Sequence, residues 1–249
     1  TADLSGYVTG GYEFKARERY VNAALSIPLT DTLGVRFAGR FTKMRGYVQN
    51  LGQSKIDPIG DDPMGGPVLL PDPHHRWGPA TKEIAGRITL KWDPSSAYSS
   101  ILKATLNKLT DNGGTSTTEA VCAGANPTHL GIPDLNSECR LNGIRHVTDL
   151  PAPYANGPFS DSRWLDAVPF PDSRSKVFSW QQSLDLGAVL LTANTGYSTL
   201  KFATRGPYSS TEFAEFSGGV TEDYKGFSQE VRLITQLDGP VNATVGGYY

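Results

Sequence analysis

The sequence alternates apolar and polar residues with a period of two, in successive pairs of segments, and joins those segments unequally. In Tyr20–Ile27, Val21, Ala23, Leu25 and Ile27 share one face, while Tyr20, Asn22, Ala24 and Ser26 share the other. After Pro28-Leu29-Thr30-Asp31-Thr32, the residues Leu33, Val35, Phe37 and Phe41 stand opposite Arg36, Arg40 and Thr42. Such alternation is the mark of a strand with two unlike faces. It returns in Ile84–Trp92 and Leu102–Asn107 around Asp93-Pro94-Ser95-Ser96. It returns again in Phe178–Leu186 and Val189–Ser198 around Gly187, and in Phe227–Leu233 and Val241–Val245 around Leu237-Asp238-Gly239-Pro240. With Gly6–Phe14 ahead of the first pair, the pattern predicts about nine antiparallel strands and no helix.

The connections decide between an ordinary sheet and a membrane wall. Turns within pairs are short and rich in Asp, Pro, Ser and Gly, which suits tight reversal. Those between pairs are long, spanning Leu51–Ala80, Asp111–Arg174 and Arg205–Lys225. Long loops on one side and short turns on the other are the arrangement of a transmembrane β-barrel. The strands expected over Leu33–Val48 and Ala188–Phe202 are long enough for the ~9–11 residues that cross a bilayer at a tilt. Trp92 and Tyr98 at one short turn, with Tyr12, Phe14, Tyr20, Tyr47, Tyr197 and Phe202 expected near the long loops, fit aromatic girdles at two interfaces.

Composition excludes several classes. Lys and Arg number 23 against 25 Asp and Glu, a net charge of −2, so no global field favours nucleic acid. No run reaches the ~18 apolar residues of a transmembrane helix, which leaves strand-built membrane proteins open. Thr1–Ser5 carries no signal-peptide pattern. Cys122 and Cys139 fit no zinc or thioredoxin spacing; they are either a disulfide, which is the expectation, or two free thiols. The disulfide would contribute roughly 3 kcal/mol and imply an oxidising compartment. No Gly-x-Ser-x-Gly, phosphate loop or His-Glu-x-x-His is present, and Asp161, Asp166 and Asp172 have no evident partner, so catalysis is not expected. Asp57, Asp61 and Asp62 lack the spacing of a calcium loop.

Two segments resemble a known family. Gly6–Asn50 combines Gly6-Tyr7-x-x-x-Gly11-Tyr12, a short apolar strand closing on Pro28-Leu29-Thr30-Asp31-Thr32-Leu33, and an Arg-bearing strand closing on Arg45-Gly46-Tyr47-Val48-Gln49-Asn50. It looks like the first barrel strands of TonB-dependent outer-membrane receptors. Gly226–Tyr249, with Phe227-Ser228-Gln229-Glu230-Val231-Arg232-Leu233 and Gly246-Gly247-Tyr248, is similar to a later strand pair of the same family. The middle matches in rhythm only.

The resemblance implies part of a barrel of about 22 strands, with the chain over 1–249 covering its N-terminal portion, and with plug domain, TonB box and C-terminal strands outside it. It implies a location in the outer membrane of a Gram-negative bacterium and partners in outer-membrane lipid, a small-molecule ligand and, through the plug, the TonB energy-coupling complex. The function implied is energy-coupled uptake of a scarce ligand, a ferric siderophore foremost, with no resident cofactor. Lumen candidates are then Arg36, Arg40, Arg87, Lys91, Lys103, Glu230 and Arg232, mostly basic and suited to an anionic ligand. In the loops, His74, His75, Arg76 and Trp77 are ligand candidates. A metal there is not expected, because adjacent side chains on an extended chain point apart. A passive porin and, more remotely, a soluble all-β binding module remain as other readings of the same pattern.

Overall fold

The computed structural model describes residues 3–59, 66–111, 117–151, 170–207, 211–214 and 217–249. Asp61, Asp62, Asp161 and Asp166 lie outside them. Among the described residues the structure is all-β. Strands β1 (Ser5–Glu13), β2 (Glu18–Pro28) and β3 (Leu33–Met44) come first. The next segment holds four short strands, β4 (Val48–Asn50), β5 (Lys55–Asp57), β6 (Val68–Leu70) and β7 (Trp77–Gly78). A hairpin of β8 (Lys82–Ser95) and β9 (Tyr98–Thr110) follows. Then come the short β10 (Thr128–His129), β11 (Ile132–Pro133) and β12 (Ile144–Arg145). The chain continues through β13 (Phe170–Asp185), β14 (Val189–Pro207), β15 (Ser217–Thr235) and β16 (Thr244–Tyr248).

Nine strands form one antiparallel sheet in the order β1-β2-β3-β8-β9-β13-β14-β15-β16, with β1 and β16 as its edges. Its large strands are therefore neighbours in sequence order, as expected of an up-and-down wall. The turns at one end are tight for local reasons. Thr30 Oγ1 accepts from the amides of Thr32 and Leu33. Gly187 takes a φ of 84°, a conformation that costs glycine nothing, while the Asp185 carboxylate accepts its amide. Asn242 Oδ1 accepts the Leu237 amide at 2.7 Å.

Register fixes which residues share a face, because directly opposed residues point the same way. Leu25 opposes Phe37, which opposes Ile88, then Ala104, Phe178, Tyr197 and Phe227. This apolar face is uncovered: Leu106 is 58% exposed, Phe227 54% and Ile84 49%. A contiguous apolar surface across nine strands far exceeds the few hundred Å² that soluble monomers expose.

The packed interior lies elsewhere. Leu150, His129, Val48, Val147, Thr148 and Asp134, the largest fully buried side chains, all belong to the segments between β3 and β8 and between β9 and β13. Those segments, together with 211–214, fold over one end of the sheet. β12 pairs in parallel with β4, and β4 pairs antiparallel with β7. Asn50 ties the two segments by donating to the Val147 carbonyl and accepting its amide. A Cβ at Gly52 would collide with the Val147 backbone, so glycine permits this close approach.

Several expected boundaries move. β3 ends at Met44, short of Val48, because Gly46 turns the chain at φ 109° with its α-carbon against the Gly78 backbone. β8 runs through Asp93-Pro94 to Ser95 with an irregularity after Trp92. The connection expected over Arg205–Lys225 shrinks to 208–216, since β14 and β15 stay paired up to Pro207 and Ser217. Tyr197 sits mid-strand, and Tyr20 and Phe202 lie on the polar face, so none of these three belongs to a girdle. Tyr12 and Phe14 do meet edge to face near the long loops, as do Trp92 and Tyr98 at the short turns.

Candidate functional site

The second face of the sheet is polar, and five of the expected residues gather on it over three adjacent strands. Arg36 opposes Thr89, which opposes Lys103; Ala38 opposes Arg87; Arg40 opposes Ala85; and Gly34 opposes Lys91. Arg36, Arg40, Arg87, Lys91 and Lys103 thus form one basic patch. Small residues open a floor between them. A trough of about 290 Å³ is lined by Tyr7, Asn22, Ala38, Arg40, Arg87 and Thr105, among others.

The patch is only partly neutralised from within. Arg40 lies 3.6 Å from Glu83, and Lys91 lies 2.9 Å from Asp93. Arg36 donates to Ser26 Oγ at 2.6 Å and its guanidinium stands 5.8 Å from the Tyr7 ring. Arg87 donates to Thr105 Oγ1 at 3.2 Å. Neither Arg36 nor Arg87 has a carboxylate partner among the described residues. Two guanidinium groups held by hydroxyls beside a trough can still meet an anion, with the planar donor geometry that suits carboxylates and phosphates. Glu230 and Arg232 lie apart, three strands beyond β9, and pair with each other. Tyr7, Asn22, Glu83 and Asn107 are further members of the polar face that the sequence alone did not single out, although the alternation itself assigns their side. Asn107 donates to Glu83 at 2.7 Å, holding it toward Arg40.

The loop candidates have structural contacts. His74 places both its amide and Nδ1 2.7 Å from Asp149 Oδ2. Burial lowers the pKa of His75, against the attraction of Asp149; the charge of His74 adds to the lowering and Asp111 opposes it. Arg76 donates to the Gly52 carbonyl at 2.6 Å. Trp77 is covered by the Arg17 guanidinium, 4.0 Å from its ring centre. Cys122 and Cys139 form a disulfide with α-carbons 4.8 Å apart.

Beneath these lies a polar core the sequence did not reveal. His129 stacks on Phe213 at 4.8 Å and contacts Asp57. Glu212 takes an ion pair from Lys55 and a hydrogen bond from Asn136, while its amide donates to Asp134. Burial raises the pKa of Asp134, with the Glu212 and Asn136 amides acting against it. Arg145 is lowered to about 10 by burial, opposed by Asp149 and Glu119. Asp57 is thus engaged by histidine, and Asp172 by Arg174. No group of three or more His, Cys, Asp or Glu residues stands in a metal-holding arrangement among the described residues. No helix there is long and apolar enough to cross a membrane.

An antiparallel sheet with one uncovered apolar face, one charged face and folded loops at a single end has the construction of part of a β-barrel wall. Solved structures agree at the level of fold. The chain is similar to the ferric enterobactin receptor PfeA in complex with BCV-L6, with a TM-score of 0.54 at 12% identity. It is similar also to a variant of that receptor from Pseudomonas aeruginosa in complex with enterobactin, with a TM-score of 0.52 at 12% identity. In both cases the match covers 98% of this chain and 30% of the other. No protein-family model and no curated protein matches the sequence.

Proposed function

We propose that this chain forms part of the wall of a TonB-dependent outer-membrane receptor that takes up a scarce anionic small molecule, a ferric siderophore foremost. The observation that carries this reading is the pairing of faces: an uncovered apolar surface across nine strands backed by a basic patch. In a membrane the first face meets lipid, since hydrocarbon requires every backbone group to be paired and strands to close into a barrel. The second face then lines the lumen, where Arg36, Arg40, Arg87, Lys91 and Lys103 attract an anion by field focusing. The loop assembly would form the outer vestibule, offering His74, His75, Arg76 and Trp77 at its surface. Energy coupling would act through a plug and the inner-membrane TonB complex. The role is transport, not catalysis.

Ferric enterobactin tests this reading, with cobalamin as an uncharged-wall comparison. The full-length protein is expected in the detergent-extracted outer-membrane fraction, binding the ferric complex with an affinity that falls as salt rises. Binding of neither ligand, combined with steady ion conductance in a planar bilayer, would replace the receptor by a passive porin. Recovery of the protein in the soluble fraction would remove both.

A further inference from the structure

Within its apolar band, the outward face carries hydrogen-bonding side chains on the later strands only. On β2, β3 and β8 the outward residues from Ile27, Val35 and Leu90 up to Val21, Phe41 and Ile84 hold no polar side-chain atom. On β9, β13, β14 and β15 polar side chains recur in pairs. Trp180 Nε1 donates to Ser100 Oγ at 2.9 Å, and the Tyr98 hydroxyl donates to Gln182 Oε1 at 2.9 Å. Thr195 Oγ1 donates to Gln229 Oε1 at 2.7 Å. Register puts these groups on the outward side, because Ser100 opposes Gln182, and Leu102 opposes Trp180, then Thr195 and Gln229.

Their depth makes them unlike an interfacial girdle. Gln229 stands six residues from Thr235, and Thr195 six from Val189, the short-turn ends of their strands. At about 3.4 Å per residue and a tilt of about 40°, that is roughly 16 Å into an apolar band ~25 Å tall. Hydrocarbon offers no hydrogen-bond partner there, and the chain leaves the Gln229 amide half satisfied. Its Nε2 donates to the Glu230 carbonyl at 3.2 Å, so one amide hydrogen and one lone pair of Oε1 remain. Gln182 Nε2 has no partner among the described residues. The surface beside them is low. Ala193 and Gly247 flank Val231 on the same face, and a Cβ at Gly247 would meet nothing within 4 Å. Small residues next to a polar group allow close approach of a second membrane-spanning surface, as they do between membrane helices.

We propose that the outward face of β13, β14 and β15 is the contact between two copies of this chain, joined through Gln229 and Gln182. The inference rests on the membrane-wall reading above. Two copies inserted the same way up are related by an axis along the membrane normal, so residues beside that axis meet their own kind at equal depth. A primary amide suits such a contact, because it both donates to and accepts from an identical group. The spare hydrogen and lone pair of Gln229 match those of Gln229 in the second copy. A lysine or a carboxylate in that place would repel its own copy instead.

The test uses the full-length protein. Sedimentation equilibrium over a range of protein-to-detergent ratios is expected to give a reversible dimer. Q229L should weaken that dimer roughly eightfold, from two amide hydrogen bonds of about threefold each. In the outer-membrane fraction, a short bis-maleimide should link Q229C to a second copy. V21C, on the outward face of β2 and away from the polar strands, should stay unlinked. Cys122 and Cys139 are held in their disulfide and do not compete for the reagent. A monomeric wild type, an equally stable dimer in Q229L, or equal linking of V21C overturns the proposal and leaves the receptor reading intact. Linking of Q229C to a different protein also overturns it, by replacing the second copy with another partner. Absence of the protein from the outer-membrane fraction removes the membrane-wall reading and this proposal with it.

Discussion

His129 Nε2 lies 2.9 Å from Asp57 Oδ2, a fully buried contact between residues 72 positions apart that fastens the β9–β13 segment to the β3–β8 segment. Phe213 stacks on the same imidazole and brings the β14–β15 connection into the assembly. Three connections thus converge on one ring. D57N keeps the size of the side chain but disturbs a buried polar contact, and is expected to cost the loop assembly about 1–3 kcal/mol. Hydrogen exchange should then quicken at the Thr148 and Glu212 amides while the paired amides of β13 and β14 stay protected. Quickening throughout the sheet would show that loops and wall do not fold as separate units.

The disulfide works on the same assembly from the outside. Cys122 and Cys139 enclose a 17-residue separation, and cross-linking a loop of that size contributes roughly 3 kcal/mol in the chain-entropy model. The double replacement C122S/C139S should make the 123–138 region a preferred site of limited proteolysis. The melting temperature of the full-length protein in detergent is expected to change little, because no strand of the large sheet contacts this loop through the bond.

His75 gives the loops a dependence on pH. Burial holds its pKa below 6.5; Asp149 opposes that, His74 adds to it and Asp111 opposes it. The fold therefore favours the neutral ring. The corresponding stability is present above 6.5 and is lost as pH falls through the lower folded-state value. The Tyr47 and Asn50 amides, which donate to the Gly78 and Arg76 carbonyls, should lose protection on acidification to about pH 5, once their rates are referred to the slower intrinsic exchange at that pH. H75Q should remove part of that loss. An identical pH profile in H75Q would assign the effect to another group.

The faces of the wall were legible in the sequence because the contrast between them is strong wherever one side meets hydrocarbon. Val21, Leu25, Phe37 and Ile88 against Asn22, Arg36, Arg40 and Arg87 admit only one register of sides. Above that level the contrast fades. Thr221-Glu222-Asp223-Tyr224 offers no apolar face, so the part of β15 before Gly226 reads as loop, although it is paired with β14 throughout. The loop assembly was not legible for a different reason. Its core is made of single polar contacts between distant residues, such as Asn50 with Val147, 97 positions apart, and no periodicity announces them. His74 and Trp77 stood out by chemistry, but their partners Asp149 and Arg17 could be found only in three dimensions.

The polar trough makes the sharpest prediction for transport. Arg40 and Arg87 flank Ala38 and Ala85 diagonally, one sharing its charge with Glu83 and the other held only by Thr105. Arg87 therefore has more of its charge available to an incoming anion. A hydrogen bond to a charged group contributes about 1.5–3 kcal/mol, so R87A should weaken binding of ferric enterobactin by at least about tenfold. The double replacement R40Q/E83Q should weaken it less, because it removes a pair of opposite charges and leaves the net charge beside the trough unchanged. R232A is the control: its guanidinium pairs with Glu230 three strands away from the trough, and affinity should be unchanged within about twofold. Equilibrium binding at two salt concentrations separates these outcomes, since the R87A loss should shrink as salt rises. A loss in R232A equal to that in R87A would mean that the ligand responds to the total charge of the lumen and not to the trough.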